Sequence, residues 1–490
     1  MRLAVVVHVV GVLVRLFGPM FLPAALVAAL YHEWRDAIAF TLTALCSSAL
    51  GHAMRFAGGK AAEDAAERLR RVEGMLIVAG AWMLIAHLAA LPYVWAGLGF
   101  IDALFESMSG LTTTGATIFT DFSVYGRGIF FWRSMTQWVG GMGVIALFVA
   151  VLPRLAVGGR EIFFAEASGP TDEKLTPQIR QTALTLWRLY AALTGAQVLA
   201  LWLAGMTLFD AVCHSMTTLS AAGFSPHPAS IAGYQSPAIE WIVIVFMFVG
   251  GANFALQYRL VRGNVRAFFA DEEIRAYAAV VVAATVLLAF FLSSSGMQPG
   301  DAVRHGLFQT VSIITTTGFA SVDFNLWSDQ SKMVLLGLMF IGGCAGSAAG
   351  GPKVVRHVLM ARFTFRELKR TLHPRAILPI KLGGRVVPEN VMREVVVFML
   401  FYILTFAVGA AIVIALGASI VTGISASATT LGNVGPGFDT IGPMASFAHL
   451  HPVSKVVLTL EMWIGRLEVL TVLVLVRWEI WQSARWRVAS

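Results

Sequence analysis

The 490-residue chain carries 36 Lys and Arg against 28 Asp and Glu, a formal charge of +8, yet is 57% hydrophobic and only 13% charged. Soluble domains run at about 25% charged, so this composition, with a mean hydropathy of +0.74, excludes a water-soluble globule and calls for a bilayer. The cations sit in a few links between apolar stretches, which excludes a nucleic-acid partner, and Cys46, Cys213 and Cys344 lack CxxC or metal-ligand spacing.

Crossing the hydrocarbon takes about 20 apolar residues, and ten stretches approach that length. The first, 4–30, follows Arg2 and resumes past Arg15, so it reads as a retained helix rather than a cleaved signal peptide. With 36–57 it makes two N-terminal transmembrane helices in residues 1–57. Residues 72–155 then hold a helix at 74–97, a short apolar stretch at 101–108 and a second helix at 129–152. The same order recurs in 180–260 (181–204, 207–216, 237–258), in 275–360 (276–295, 302–311, 333–351) and in 392–478 (394–417, 420–428, 455–477).

At the end of each short stretch lies one pattern: SMSGLTTTG (107–115), SMTTLSAAG (215–223), TVSIITTTG (310–318) and SATTLGNVG (427–435). Four copies in phase with four helix pairs make an internal repeat. The link 353–393 holds ten Lys and Arg against Glu367 and Glu389, whereas 205–240 holds none. Cytoplasmic links carry such cations, which puts all four broken stretches on the outer side.

Irregular backbone at membrane depth is tolerated only where it is buried in protein or lines a water-filled path. Four loops on one axis can aim carbonyls inward and replace a cation's hydration shell. Glycine supplies the backbone angles, and a half-spanning helix before each loop points its negative end at the ion. No Asp or Glu lies within the four motifs, so carbonyl coordination of a weakly hydrated monovalent cation is the better reading. Close packing of small residues between helices is the bland alternative.

The chain resembles the TrkH/KtrB family of the superfamily of K⁺ transporters, on its TrkH side, over essentially its whole length. The strings that carry the likeness include FWRSMTQWVGGMGVI (131–145), SIITTTGFASVDF (312–324), MFIGGCAGSAAGGPKVVR (339–356) and IGRLEVLTVLVL (464–475). The resemblance implies an all-α membrane protein with four M1, pore-loop, M2 repeats in pseudo-four-fold symmetry around one pore. It implies a K⁺ filter at Thr113, Thr114, Gly115, Ala221, Ala222, Gly223, Thr316, Thr317, Gly318, Asn433, Val434 and Gly435. Related plant transporters that prefer Na⁺ often carry Ser at the first filter position, so Gly115 favours K⁺. The second loop lacks the Gly that many relatives place before the filter glycine.

Each glycine costs a helix roughly 1 kcal/mol relative to Ala, so the run 342–352, with Gly342, Gly343, Gly346, Gly350 and Gly351, should break the third unit's second helix. In the family this segment is an intramembrane gating loop; Ala348, Ala349 and Pro352 depart from its usual residues. Arg466, inside the last apolar helix, costs about 2.5 to 3.5 kcal/mol at the bilayer centre and is expected near that loop as a positive barrier; a pair with Glu461 or Glu468 is the structural alternative. Arg133, Gln137, Trp138 and Asn253 are expected in structural contacts, and His214 and His305 as structural or surface histidines. The resemblance further implies a homodimer in the bacterial inner membrane, pore loops facing the periplasm, resting on a cytosolic TrkA-like nucleotide-binding ring. The basic link 353–393 suits that subunit and anionic lipid headgroups equally.

Channel-like flux and flux coupled to H⁺ or Na⁺ both fit these loops. A secondary transporter for organic solutes predicts two-fold repeats and charged anchors. An intramembrane enzyme needs motifs such as HExxH or GxSxG, which this sequence lacks. K⁺ is therefore the expected bound species, with no organic cofactor.

Overall fold

A computed structural model describes residues 2–59, 62, 69–151, 176–467, 472 and 482. Helices α1 (Leu3–Phe17) and α2 (Leu22–Leu30) run on through a 3₁₀ turn, and α3 (Trp34–Gly58) returns beside them. The crossing is close: a Cβ on Gly51 would stand 2.4 Å from the Arg15 nitrogen, the small-residue packing that membrane helices use. Phe17, Phe21 and Phe40 then surround the Trp132 ring, with Phe21 stacked on it at 4.4 Å. Through this knot the N-terminal helices dock on the first repeat.

The four units follow in order. The first is α4 (Arg71–Trp95), α5 (Phe100–Leu111) and α6 (Arg127–Val151); the second is α7 (Thr176–Leu203), α8 (Leu208–Leu219), α9 (Pro237–Gly250) and α10 (Phe254–Val261). A short α11 (Val265–Ala270) leads to the third, α12 (Glu272–Ser294), α13 (Pro299–Ile314), α14 (Asp329–Met339) and α15 (Val354–Leu372). The fourth is α16 (Glu389–Ala415), α17 (Ile420–Leu431) and α18 (Pro452–Leu467). Among the described residues six helices are long and apolar enough to cross a membrane, and Pro237–Gly250 with Phe254–Val261 forms one bent pair. Leu26, Leu203, Phe290 and Leu400 lie exposed on the outer faces, a surface suited to lipid chains. The chain is a multi-pass membrane protein.

Local chemistry sets the short helices. Thr207 and Ser419 cap α8 and α17, accepting from the Asp210 and Thr422 nitrogens at 3.1 Å each. Asp102, Asp210 and Asp301 sit in first turns, where the helix end is positive. Glu33 does the same from outside its own helix: it accepts from the Arg127 and Gly128 nitrogens at 2.7 and 2.9 Å at the start of α6.

One expectation needs correction. Residues 237–258, read as one span, are two helices meeting at 107°. Asn253 causes the break by capping α10, its side chain accepting from the Ala255 and Leu256 nitrogens at 2.8 and 3.1 Å. The stretch 333–351 is helical only to Met339, the interruption expected of its Gly-rich run. The fold is all-α as expected, and the basic link adds only a two-residue antiparallel hairpin, Lys381–Leu382 against Arg385–Val386, turned by Gly383 and Gly384 at φ +56° and +78°.

Candidate functional site

The four short helices stop at equivalent places, Leu111, Leu219, Ile314 and Leu431, and the chain after each repeats one backbone path. Thr113, Ala221, Thr316 and Asn433 are left-handed at φ +55°, +54°, +58° and +54°, and Gly115, Gly223, Gly318 and Gly435 at +84°, +77°, +77° and +110°. Between them the nitrogens of Thr114, Ala222, Thr317 and Val434 donate back to the carbonyls of Ser109, Thr217, Ser312 and Thr429 at 2.8 to 2.9 Å. Each loop thus spends its N–H groups on its own helix.

The loops meet in a ring. A Cβ on Gly115 would lie 2.2 Å from the Ala222 oxygen, on Gly223 1.8 Å from that of Thr317, on Gly318 2.1 Å from that of Val434, and on Gly435 2.8 Å from that of Thr114. Unit one therefore touches two, two touches three, three touches four and four touches one. Only a cyclic arrangement about one axis closes this circuit, and all four glycines line a single open cavity with Arg133 and Phe447.

Second helices seat the ring. A Cβ on Gly140 would meet the Leu111 carbonyl at 2.0 Å, and on Gly465 that of Leu431 at 2.0 Å, so α6 and α18 lie directly on the ends of α5 and α17. Gln137 clips the second loop, donating to the Ala222 oxygen at 2.8 Å and accepting from the Phe224 nitrogen at 3.0 Å. That carbonyl keeps a second lone pair. Asn433 bridges loops four and one, donating to Thr114 Oγ1 at 2.9 Å and to the Met462 oxygen at 3.0 Å.

Residues 340–353 lie against this ring. Gly342, Gly346 and Gly351 have φ +80°, +72° and +72°; Gly343 packs on the Gly251 oxygen, and Gly350 faces the Gly432 carbonyl with its nitrogen donating to Thr316 Oγ1 at 2.7 Å. Asn253 donates to the Ala345 oxygen at 2.7 Å, and the Cys344 nitrogen donates to the Gly251 oxygen at 2.9 Å. Arg466, buried, donates to the Ala348 oxygen at 3.0 Å and to the Gly140 oxygen at 3.2 Å. Glu461 instead accepts from Ser427 and Thr430 at 2.7 and 2.8 Å, and Glu468 lies outside the described residues.

Arg133 pairs with Glu106 at 2.7 Å, both fully enclosed, and reaches the Ser225 oxygen at 3.1 Å. Trp138 donates to Thr194 at 3.2 Å, while His214 and His305 meet the hydroxyls of Ser225 and Ser321 at 3.1 and 2.9 Å. Sequence reasoning missed two buried acids, Glu106 and Glu273, named Glu461 only as a partner for Arg466, and missed the close-approach role of Gly140 and Gly465. Glu273 accepts from the Ala345 and Val355 nitrogens at 2.7 and 3.1 Å, gripping the 340–353 segment from α12. Glu106 is the single charge in 103–115, a signal that was available, whereas Glu273 sits in the acidic run 271–273 at a helix start and gave none.

This fold and site define a membrane protein whose four re-entrant loops close one ring. Sequence profiles agree: the TrkH family, described as cation transport protein, matches residues 38–488. The chain belongs to the TrkH family. It is 40% identical to the Trk system potassium uptake protein TrkH of Escherichia coli strain K12 across 99% of this chain and all of that one. Its identity to the protein of that name from Halomonas elongata is 35% across 99% of this chain and all of that one. The crystal structure of the potassium transporter TrkH from Vibrio parahaemolyticus superposes with a TM-score of 0.87 at 37% identity, covering 98% of this chain and 100% of that one.

Proposed function

We propose that this chain takes up K⁺ across the bacterial inner membrane, with the loop ring as its selectivity filter and the pore loops facing the periplasm. The observation that carries the reading is the closed circuit of glycine-to-carbonyl approaches. A ring of carbonyls held by its own helices replaces hydration water around a cation, and the four helix ends add negative potential. The names of the relatives support K⁺ as the ion. The coordinating peptides are those at 113–115, 221–223, 316–318 and 433–435, and the units 72–155, 180–260, 275–360 and 392–478 act as the four quarters of the pore.

Residues 342–352 act as the gate, with Arg466 holding the segment shut and adding positive charge on the path. Opening breaks several hydrogen bonds worth about 0.5–1.5 kcal/mol net each, a load that a cytosolic TrkA-like nucleotide-binding ring, docked on the basic link of a homodimer, can supply. Anionic headgroups neutralise the rest of that link. The test is rubidium uptake in a K⁺-uptake-deficient bacterium, with Na⁺ as competitor. Wild type takes up rubidium and Gly115→Ser loses preference over Na⁺; unchanged preference in the variant removes the filter assignment.

A further inference from the structure

Behind the ring, one backbone position recurs: the third residue after each filter glycine, Ile118, Pro226, Ser321 and Phe438. The Ile118 nitrogen donates to Glu106 at 2.9 Å, and the Phe438 nitrogen to Ser425 Oγ at 3.0 Å. With the Gln309 amide turned to satisfy both neighbours, the Ser321 nitrogen donates to its oxygen at 2.9 Å. Pro226 has no N–H to offer, and in that unit His214 meets the hydroxyl of the preceding residue, Ser225, at 3.1 Å. Glu106, His214 and Gln309 occupy one register in their pore helices; the fourth unit has Ala426 there and uses Ser425, one residue earlier. All four tethering side chains are buried.

We propose that these four tethers set the ion preference of the ring. Each ties the strand leaving the filter to the pore helix entering it, so every loop is held at both ends and the ring cannot shrink around a smaller cation. Glu106 adds a lateral brace, since its partner Arg133 also holds Thr117 at 3.0 Å and the Ser225 carbonyl at 3.1 Å, joining loops one and two. The inference rests on the filter reading above and names residues outside the coordinating peptides.

The test compares rubidium uptake against Na⁺ competition in proteoliposomes for Ser425→Ala, Ser425→Thr, Gln309→Leu, Pro226→Ala and the reference Gly318→Ser. Ser425→Ala and Gln309→Leu each lower the rubidium-to-sodium preference about three- to tenfold, the factor one hydrogen bond is worth, while uptake continues. Ser425→Thr keeps the acceptor and the preference, and Pro226→Ala, which removes no donor, changes neither. If Gly318→Ser loses preference while Ser425→Ala and Gln309→Leu both keep it, the tethers are structural only and the proposal fails alone. If Gly318→Ser also keeps it, the filter reading falls and the proposal with it. The two tether variants alter different units, so one that misfolds leaves the other to decide.

Discussion

At the candidate filter, single atoms decide what each position tolerates. Gly223 combines a left-handed backbone with a Cβ position 1.8 Å from the Thr317 oxygen, whereas Gly97, also left-handed at φ +102°, has nothing within 4 Å. Both lose about 1–2 kcal/mol to backbone strain on gaining a side chain, but only Gly223 must also push a neighbouring loop aside. Gly223→Ala is therefore expected to abolish selective rubidium uptake while Gly97→Ala keeps most of it at equal membrane abundance; equal uptake by the two sinks the ring geometry. The glycines were legible in the sequence because few residues meet that backbone demand. Thr113, Ala221, Thr316 and Asn433 share the left-handed state, but three of them are residue types with no preference for it, so only their alignment to the glycines marks them. Glu106, Glu273 and Glu461 were illegible as holders of backbone and hydroxyl groups, since their partners lie on other elements or beyond a turn.

Helix breaks explain both the success and the failure of reading spans from apolar length. The Gly-rich run at 342–352 announced its own interruption. The bend between α9 and α10 was harder to read, because only Gly250, Gly251 and one polar residue, Asn253, mark it inside an otherwise apolar stretch. That side chain does two jobs, capping α10 and donating to the Ala345 carbonyl in the candidate gate. Removing an N-cap costs about 0.5–2 kcal/mol, and here the same change frees the loop. Asn253→Ala is expected to speed modification of Cys344, which is fully buried, by a small thiol reagent added to inside-out vesicles. Cys46 is exposed and is replaced by Ser in both proteins, while Cys213 is buried in the pore-helix layer. No change in labelling rate separates the bend from the loop.

Across the whole molecule, the start of α12 joins the basic link to the ring. Glu273 holds both ends of the candidate gate through the Ala345 and Val355 nitrogens. The adjacent Glu272 pairs with Arg362 of α15 at 2.8 Å, and Arg366, further along α15, pairs with Glu389 at the start of α16, which lifts the Arg366 guanidinium pKa. Two adjacent acids thus hold two elements, Glu273 the 340–353 segment and Glu272 the basic link. They differ in energy as well as place. Removing Glu273 leaves two buried N–H groups unpaired at about 1–3 kcal/mol each, whereas a half-buried, solvent-screened pair such as Glu272 with Arg362 is worth about 0–1 kcal/mol. In flux from proteoliposomes, Glu273→Ala should raise the basal leak severalfold without any partner present. Arg362→Ala should leave that leak at the wild-type level and weaken the response to nucleotide once a cytosolic ring subunit is bound. A Glu273→Ala leak equal to wild type would break the link between α12 and the loop, and a full nucleotide response in Arg362→Ala would place the coupling elsewhere than α15.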